Sequence, residues 1–181
     1  MKALIRIWAA VLFTAAMVAP VFAQAVNIDY DHTVNFLKFK TYSWGKVHAT
    51  DPSVENRITI ALNRDMKGRY MTQVGSGGDV TITAVEATKD KQEFADFYSG
   101  LNGTYSWQRP WASGFLDSEA IPADVPVDTL VIDIYDTKTH NLLWRGTVTT
   151  QAANSGDKND QRIDKAVTEL ISKYPPKFKK P

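Results

Sequence analysis

Residues 129–150 alternate so regularly that a β-hairpin is the reading they constrain most tightly. Leu130, Ile132 and Ile134 alternate with Val131, Asp133 and Tyr135, so one strand face is fully apolar and the other mixed. Asp136, Thr137, Lys138, Thr139, His140 and Asn141 supply the turn, and Leu142 to Thr149 return. A sheet with one apolar face needs a layer laid against it, and two segments have the right pattern. Ile163, Ala166, Val167, Leu170, Ile171 and Tyr174 form an apolar stripe on a helix that starts within 157–160 and stops at Pro175 and Pro176. Val54, Ile58, Ala61, Leu62, Met66 and Tyr70 form a second stripe, behind a cap at Asp51 and a proline at the first helical position. Gly75, Ser76, Gly77 and Gly78 are read as the stop of that helix.

Further strands are expected at Val26 to Tyr30, Thr41 to Trp44 and Val80 to Ala84, with Val34, Phe36, Leu37 and Phe39 adding core. Between Lys89 and Asp128 the periodicity fades into a long loop rich in aromatic residues, with some strand around Gly103 to Gln108. The expected fold class is α+β: a two-layer sandwich, mainly antiparallel sheet, with two amphipathic helices on one face.

The N-terminus reads as a cleavable export signal. Lys2 and Arg6 precede an uncharged apolar run from Ile7 to Ala19, Pro20 breaks it, and Val21-Phe22-Ala23 presents a processing site, with Ala25 offering a second. The run is shorter than the about 20 residues a spanning anchor needs. The organisation is therefore a signal peptide over 1–23, one domain over 24–176 and a basic tail over 177–181. A chain without cysteine has no lipid attachment through an N-terminal cysteine, no disulfides and no thiolate metal site. The expected location is periplasmic, cleaved after Ala23 and not lipidated. Without Lys2 and Arg6 the 21 basic residues fall to 19 against 20 acidic ones, so net charge points to neither nucleic acid nor an anionic membrane face.

Three separated segments resemble one family. They are Asp29-Tyr30-Asp31 with Phe36, Phe39 and Lys40-Thr41-Tyr42-Ser43-Trp44, then Thr129 to Asp136 leading into Leu143-Trp144-Arg145-Gly146, and finally Lys173-Tyr174-Pro175-Pro176. The chain is similar in these to domain-of-unknown-function family 4136, found in Gram-negative envelopes. The resemblance implies an envelope location and an α+β fold, and carries over no activity and no catalytic residues. Many members look like lipoproteins, and this chain departs from them in lacking the lipobox cysteine.

Candidate chemistry is sparse. Asp133, Asp136 and His140 suggest an acid/base pair or weak metal site, but residues three apart on a strand face opposite ways unless Asp136 has left the strand. The three histidines have no metal-ligand spacing, and no metal or cofactor is expected. Ser155 to Lys158 matches S-x-x-K without its companion motifs, and the Gly75–Gly78 run follows a helix where a phosphate loop would precede one. Arg145 either meets a partner's carboxylate or pairs with Asp133 across the hairpin. Tyr105, Trp107, Arg109, Trp111 and Phe115 are the residue types of interface hot spots, and with Arg145 they are the candidate partner-binding set. They either bury themselves in a partner or fold back over the core edge. The reading that follows is a non-enzymatic binding domain for an envelope protein or a cell-wall or lipid component. The alternatives are a carrier or sensor of a small apolar ligand, and a hydrolase using Asp133, Asp136 and His140.

Overall fold

The computed structural model describes residues 25–88, 91–101, 127–151 and 156–176. The stretch read as an export signal, the 105–115 aromatics, Ser155 and the basic tail lie outside them. The strands are β1 (Ala25–Tyr30), β2 (Thr41–His48), β3 (Thr72–Gln73), β4 (Val80–Thr88), β5 (Val127–Asp136) and β6 (Leu142–Gln151). They form one open sheet in the order β1-β6-β5-β4-β2-β3. The pairings β1–β6, β6–β5 and β5–β4 are antiparallel. β2 runs parallel to β4 and to β3. The expected α+β class is the one found.

Helices α1 (Pro52–Gly68) and α3 (Gly156–Ser172) pack together on one face. Leu130, Ile132, Ile134, Val80, Ile82 and Trp144 meet the stripes of both helices in a single core, as the alternation and the 3.6-residue spacing demand. The Asp51 side chain accepts the Ser53 amide, and Pro52 sits in the first turn. On α1, Asn63 Oδ1 accepts from both the Tyr42 hydroxyl at 2.7 Å and the Trp44 indole at 3.2 Å. The family-signature aromatics of β2 are thereby fastened to the helix above them.

Three expectations are corrected. Leu37 is 65% exposed, because residues 36–38 form a 3-10 turn in which only Phe36 and Phe39, three apart, face inward. Tyr70 does not continue the α1 stripe. The helix ends earlier, with Tyr70 N–H bonded to Lys67 C=O and Met71 N–H to Met66 C=O. That is a Schellman ending, with buried Met71 packed where its apolar contact belongs. Tyr70 occupies the left-handed position at φ 60° and is 89% exposed. The glycine run follows β3 and does not stop the helix. Gly78 instead lets its backbone approach β2, since a Cβ there would lie 2.6 Å from Tyr42 C and Ser43 N.

An aromatic residue at a left-handed position costs about 1 kcal/mol. Tyr70→Gly is therefore expected to raise stability by about 1 kcal/mol, read as a higher denaturant midpoint at unchanged slope.

Candidate functional site

The other sheet face carries a third helix, α2 (Lys91–Ser99), inside the stretch expected to be loop. Phe94, Phe97, Tyr98 and Leu101 pack on Val85 and Ala87 of β4 and Val131 of β5. Their spacing of i, i+3, i+4 and i+7 is a helical stripe, and this is the signal that could have found α2. The surrounding glycines and aromatics masked it.

Beneath α2 the strand register builds a polar row. Arg145 of β6 lies opposite Asp133 of β5 on one side and Asp29 of β1 on the other. Asp133 in turn lies opposite Thr83 of β4. Arg145 Nε donates to Asp133 Oδ1 and Nη2 to Oδ2, both at 2.6 Å, a bidentate fork. Oδ2 also accepts the hydroxyls of Tyr98 at 3.0 Å and Tyr135 at 3.1 Å. Arg145 Nη2 donates to the Tyr98 oxygen as well, and the guanidinium lies 5.2 Å from that ring's centre. Asp133 is 1% and Arg145 5% exposed.

Of the residues expected to meet a partner, Arg145 is the one described, and it is turned inward. The cross-strand pair with Asp133 is the arrangement found. Trp144, its neighbour, faces the opposite layer, where Gly146 makes room for its ring.

The electrostatics favour fixed protons. Burial, reinforced by the Asp133 carboxylate, pushes the Tyr98 and Tyr135 hydroxyls well above the ordinary phenol range. Burial works against the Arg145 charge, yet the Asp133 carboxylate outweighs it and holds the guanidinium protonated more firmly than usual. Partial burial raises the Asp29 carboxyl, opposed by the Tyr30 amide, His32 and Arg145. A carboxylate that already accepts four hydrogen bonds and two phenols that hold their protons form a structural tie; they do not form a proton-transfer pair.

The Asp133, Asp136 and His140 set does not converge. Asp136 Oδ1 accepts the Lys138 and Thr139 amides and so organises the turn, while Asp133 is committed beneath α2. His140 is exposed in the left-handed region at φ 57°. Among the described residues no group of three metal-ligating side chains comes together.

Among the described side chains of α2, Tyr98 is the one bonded to both members of the ion pair. Tyr98→Phe is expected to cost about 1–2 kcal/mol, because a buried donor to a charged acceptor is lost. Amide exchange should quicken in α2 and remain slow in β5 and β6; uniform acceleration would contradict this local role.

The family model for DUF4136, a domain of unknown function, matches residues 26–176. No curated protein matches the sequence. Among solved structures, a PDZ domain protein from Parabacteroides distasonis ATCC 8503 is similar at a TM-score of 0.57 and 15% identity, over 84% of this chain and 35% of that one. The chain thus spans about a third of that protein's length. A PelC dodecamer from Paraburkholderia phytofirmans has a TM-score of 0.49 at 9% identity, over 83% of this chain and 96% of that one. A minor lipoprotein from Acinetobacter baumannii has a TM-score of 0.34 at 7% identity, over 75% and 88%. The first likeness speaks to the fold alone.

Proposed function

The chain belongs to the DUF4136 family of domains of unknown function, and on that premise we propose that it is a non-enzymatic binding domain of the bacterial envelope, exported to the periplasm, that meets another envelope component through residues 105–115. The observation that carries this reading is the closure of the Asp133–Arg145–Tyr98–Tyr135 cluster on itself. The best-assembled ionisable group among the described residues is spent on holding α2, which leaves contact as the role of this face. The aromatic segment leaves from Leu101, buried against the sheet behind α2, and rejoins at Val127, the first residue of β5. The segment that carries Tyr105, Trp107, Arg109, Trp111 and Phe115 thus follows α2 and precedes β5 in the chain, and these are the residue types of interface hot spots. Export rests on the basic, apolar and small-residue order of the leader. No helix among the described residues is long and apolar enough to cross a membrane.

Crosslinking and pull-down from envelope extracts test the segment, with the wild-type chain compared to the Trp107→Ala/Trp111→Ala double variant. Loss of the recovered partner at unchanged stability is expected. Equal recovery from both proteins would remove the segment's role.

A further inference from the structure

We infer that the end of the sheet where β1, β5, α1 and α3 finish and β2, β4 and β6 begin is a docking surface for an anionic lipid bilayer. The topology gathers exposed cations there from four separate parts of the chain: Lys38, Lys40, Lys67, Arg69, Lys138 and Lys173. Hydrogen bonds make the gathering continuous. The Thr72 amide, just beyond Tyr70, donates to Lys40 C=O; the Lys40 amide donates to Asp79; and the Thr137 amide, beside Lys138, donates to Asp79 C=O. The Phe36 ring, beside Leu37 and Lys38, packs edge-on to Tyr174, next to Lys173, at 5.9 Å.

None of these cations has an ion-pair partner among the described residues. Asp31, Asp79 and Asp136 at this end aim their carboxylates at turn amides: Asp31 at Thr33, Asp79 at Lys40 and Thr41, and Asp136 at Lys138 and Thr139. With Asp29 and Glu169, which also lie at this end, and with Asp79 acting on Lys138 and Asp65 on Arg69, they reduce the positive field without cancelling it. Asp65, one turn deeper, is paired with Arg64. Lys67 and Lys173 complement the carbonyl ends of α1 and α3 and Lys38 closes the 3-10 turn, whereas Lys40 and Lys138 sit on loops with no helix end to neutralise. At the far end Asp51, Glu55, Glu86 and Asp160 lie among Lys46, Arg57 and Arg162, with Arg57 reaching Asp160 and Arg162 reaching Glu86. A nearly neutral total thus conceals a segregated field, and it is the local field that a surface meets.

Cations alone would suit any polyanion. Two of the molecule's exposed large apolar side chains decide for a bilayer, because Leu37 at 65% and Tyr70 at 89% exposure project from this same end. Tyrosine rings settle at headgroup level and leucine enters the acyl boundary, while lysines meet anionic headgroups. A soluble polyanion would leave Leu37 with nothing to contact. Docking by this end leaves Val127, where the aromatic segment rejoins the sheet, at the end away from the lipid. The inference is independent of the partner proposed above.

The test is sedimentation of the full chain with phosphatidylglycerol vesicles and with phosphatidylcholine vesicles, at low and high salt. The leader can itself enter lipid, so the reading is the difference between variants of the same chain. Wild type should favour phosphatidylglycerol, and Lys38→Gln/Lys40→Gln/Lys138→Gln should lose affinity by about fivefold per charge. Leu37→Ser/Tyr70→Ser should release from phosphatidylglycerol at a lower salt concentration. Equal binding to both lipids, or an unchanged triple variant, would overturn the inference. So would binding to soluble polyphosphate as tight as to phosphatidylglycerol, with the Leu37/Tyr70 variant indistinguishable from wild type on the vesicles.

Discussion

Arg145→Ala is expected to destabilise the domain by about 3–5 kcal/mol, the range for removing one partner of a buried ion pair. The cost arises less from the lost attraction than from what remains. Asp133 would be left at 1% exposure without its guanidinium partner and with only two phenol donors. Asp133→Ala should be comparably harmful, because the guanidinium then loses its carboxylate beneath α2. Replacing both, as Asp133→Ala/Arg145→Ala, should cost clearly less than the two single changes added, since no unpaired charge is left inside. Denaturant midpoints for the four proteins of this cycle measure the coupling. Strictly additive costs would show that the pair is not the tie proposed here.

On the opposite layer, Trp144→Ala is expected to cost about 3–5 kcal/mol through the large cavity it opens. The ring is fully buried, packs edge-on to Tyr174 at 5.8 Å and lies over Gly146. A Cβ at position 146 would come 2.3 Å from the Trp144 ring and 2.9 Å from Leu170. Gly146→Ala alone should therefore cost about 1–3 kcal/mol by overpacking. In the Trp144→Ala background the same change should cost much less, because the ring atoms in its way are gone and the Leu170 side chain can yield into the space they leave. A Gly146→Ala penalty that persists in that background would assign the glycine a backbone role instead.

These two sites show what a sequence can disclose. The alternation of 129–150 sends Trp144 and Arg145 to opposite faces, so the roles of Asp133 and Arg145 as facing charges on a hairpin were legible from local order alone. The α1 and α3 stripes were legible for the same reason, since burial on one side imposes a 3.6-residue period that few other structures share. Leu37 and Tyr70 were misread where an apolar residue follows a run of core positions but the backbone turns away, in a 3-10 turn and at a Schellman ending. Tyr98 was hidden because α2 contributes only a short stripe beside a stretch dense in glycine and aromatic residues. The third neighbour in the polar row, Asp29, was beyond reach for a different reason. It faces Arg145 only because β1 pairs with β6, and nothing in either strand names so distant a partner. Charge balance failed similarly: a sum over the chain cannot see that loops from four regions meet at one end.

The β1–β6 pairing has a consequence for the order of events during synthesis. Ala25 faces Thr149 across the ladder, so the first strand to emerge has no partner until nearly the whole domain has been made. Until then it is an open edge, the kind of segment that recruits stray strands. Asp31 N–H bonds to Leu143, so the Tyr30 amide points to the outer side of the strand, where the Asp29 carboxylate accepts it at 2.9 Å. That local loop blunts the edge and places a charge beside it. Completion of the sheet therefore waits on the longest loop closure in the domain, and rapid collapse of the β4–β5–β6 meander under its helices should precede a slower final zipping of the N-terminal strand.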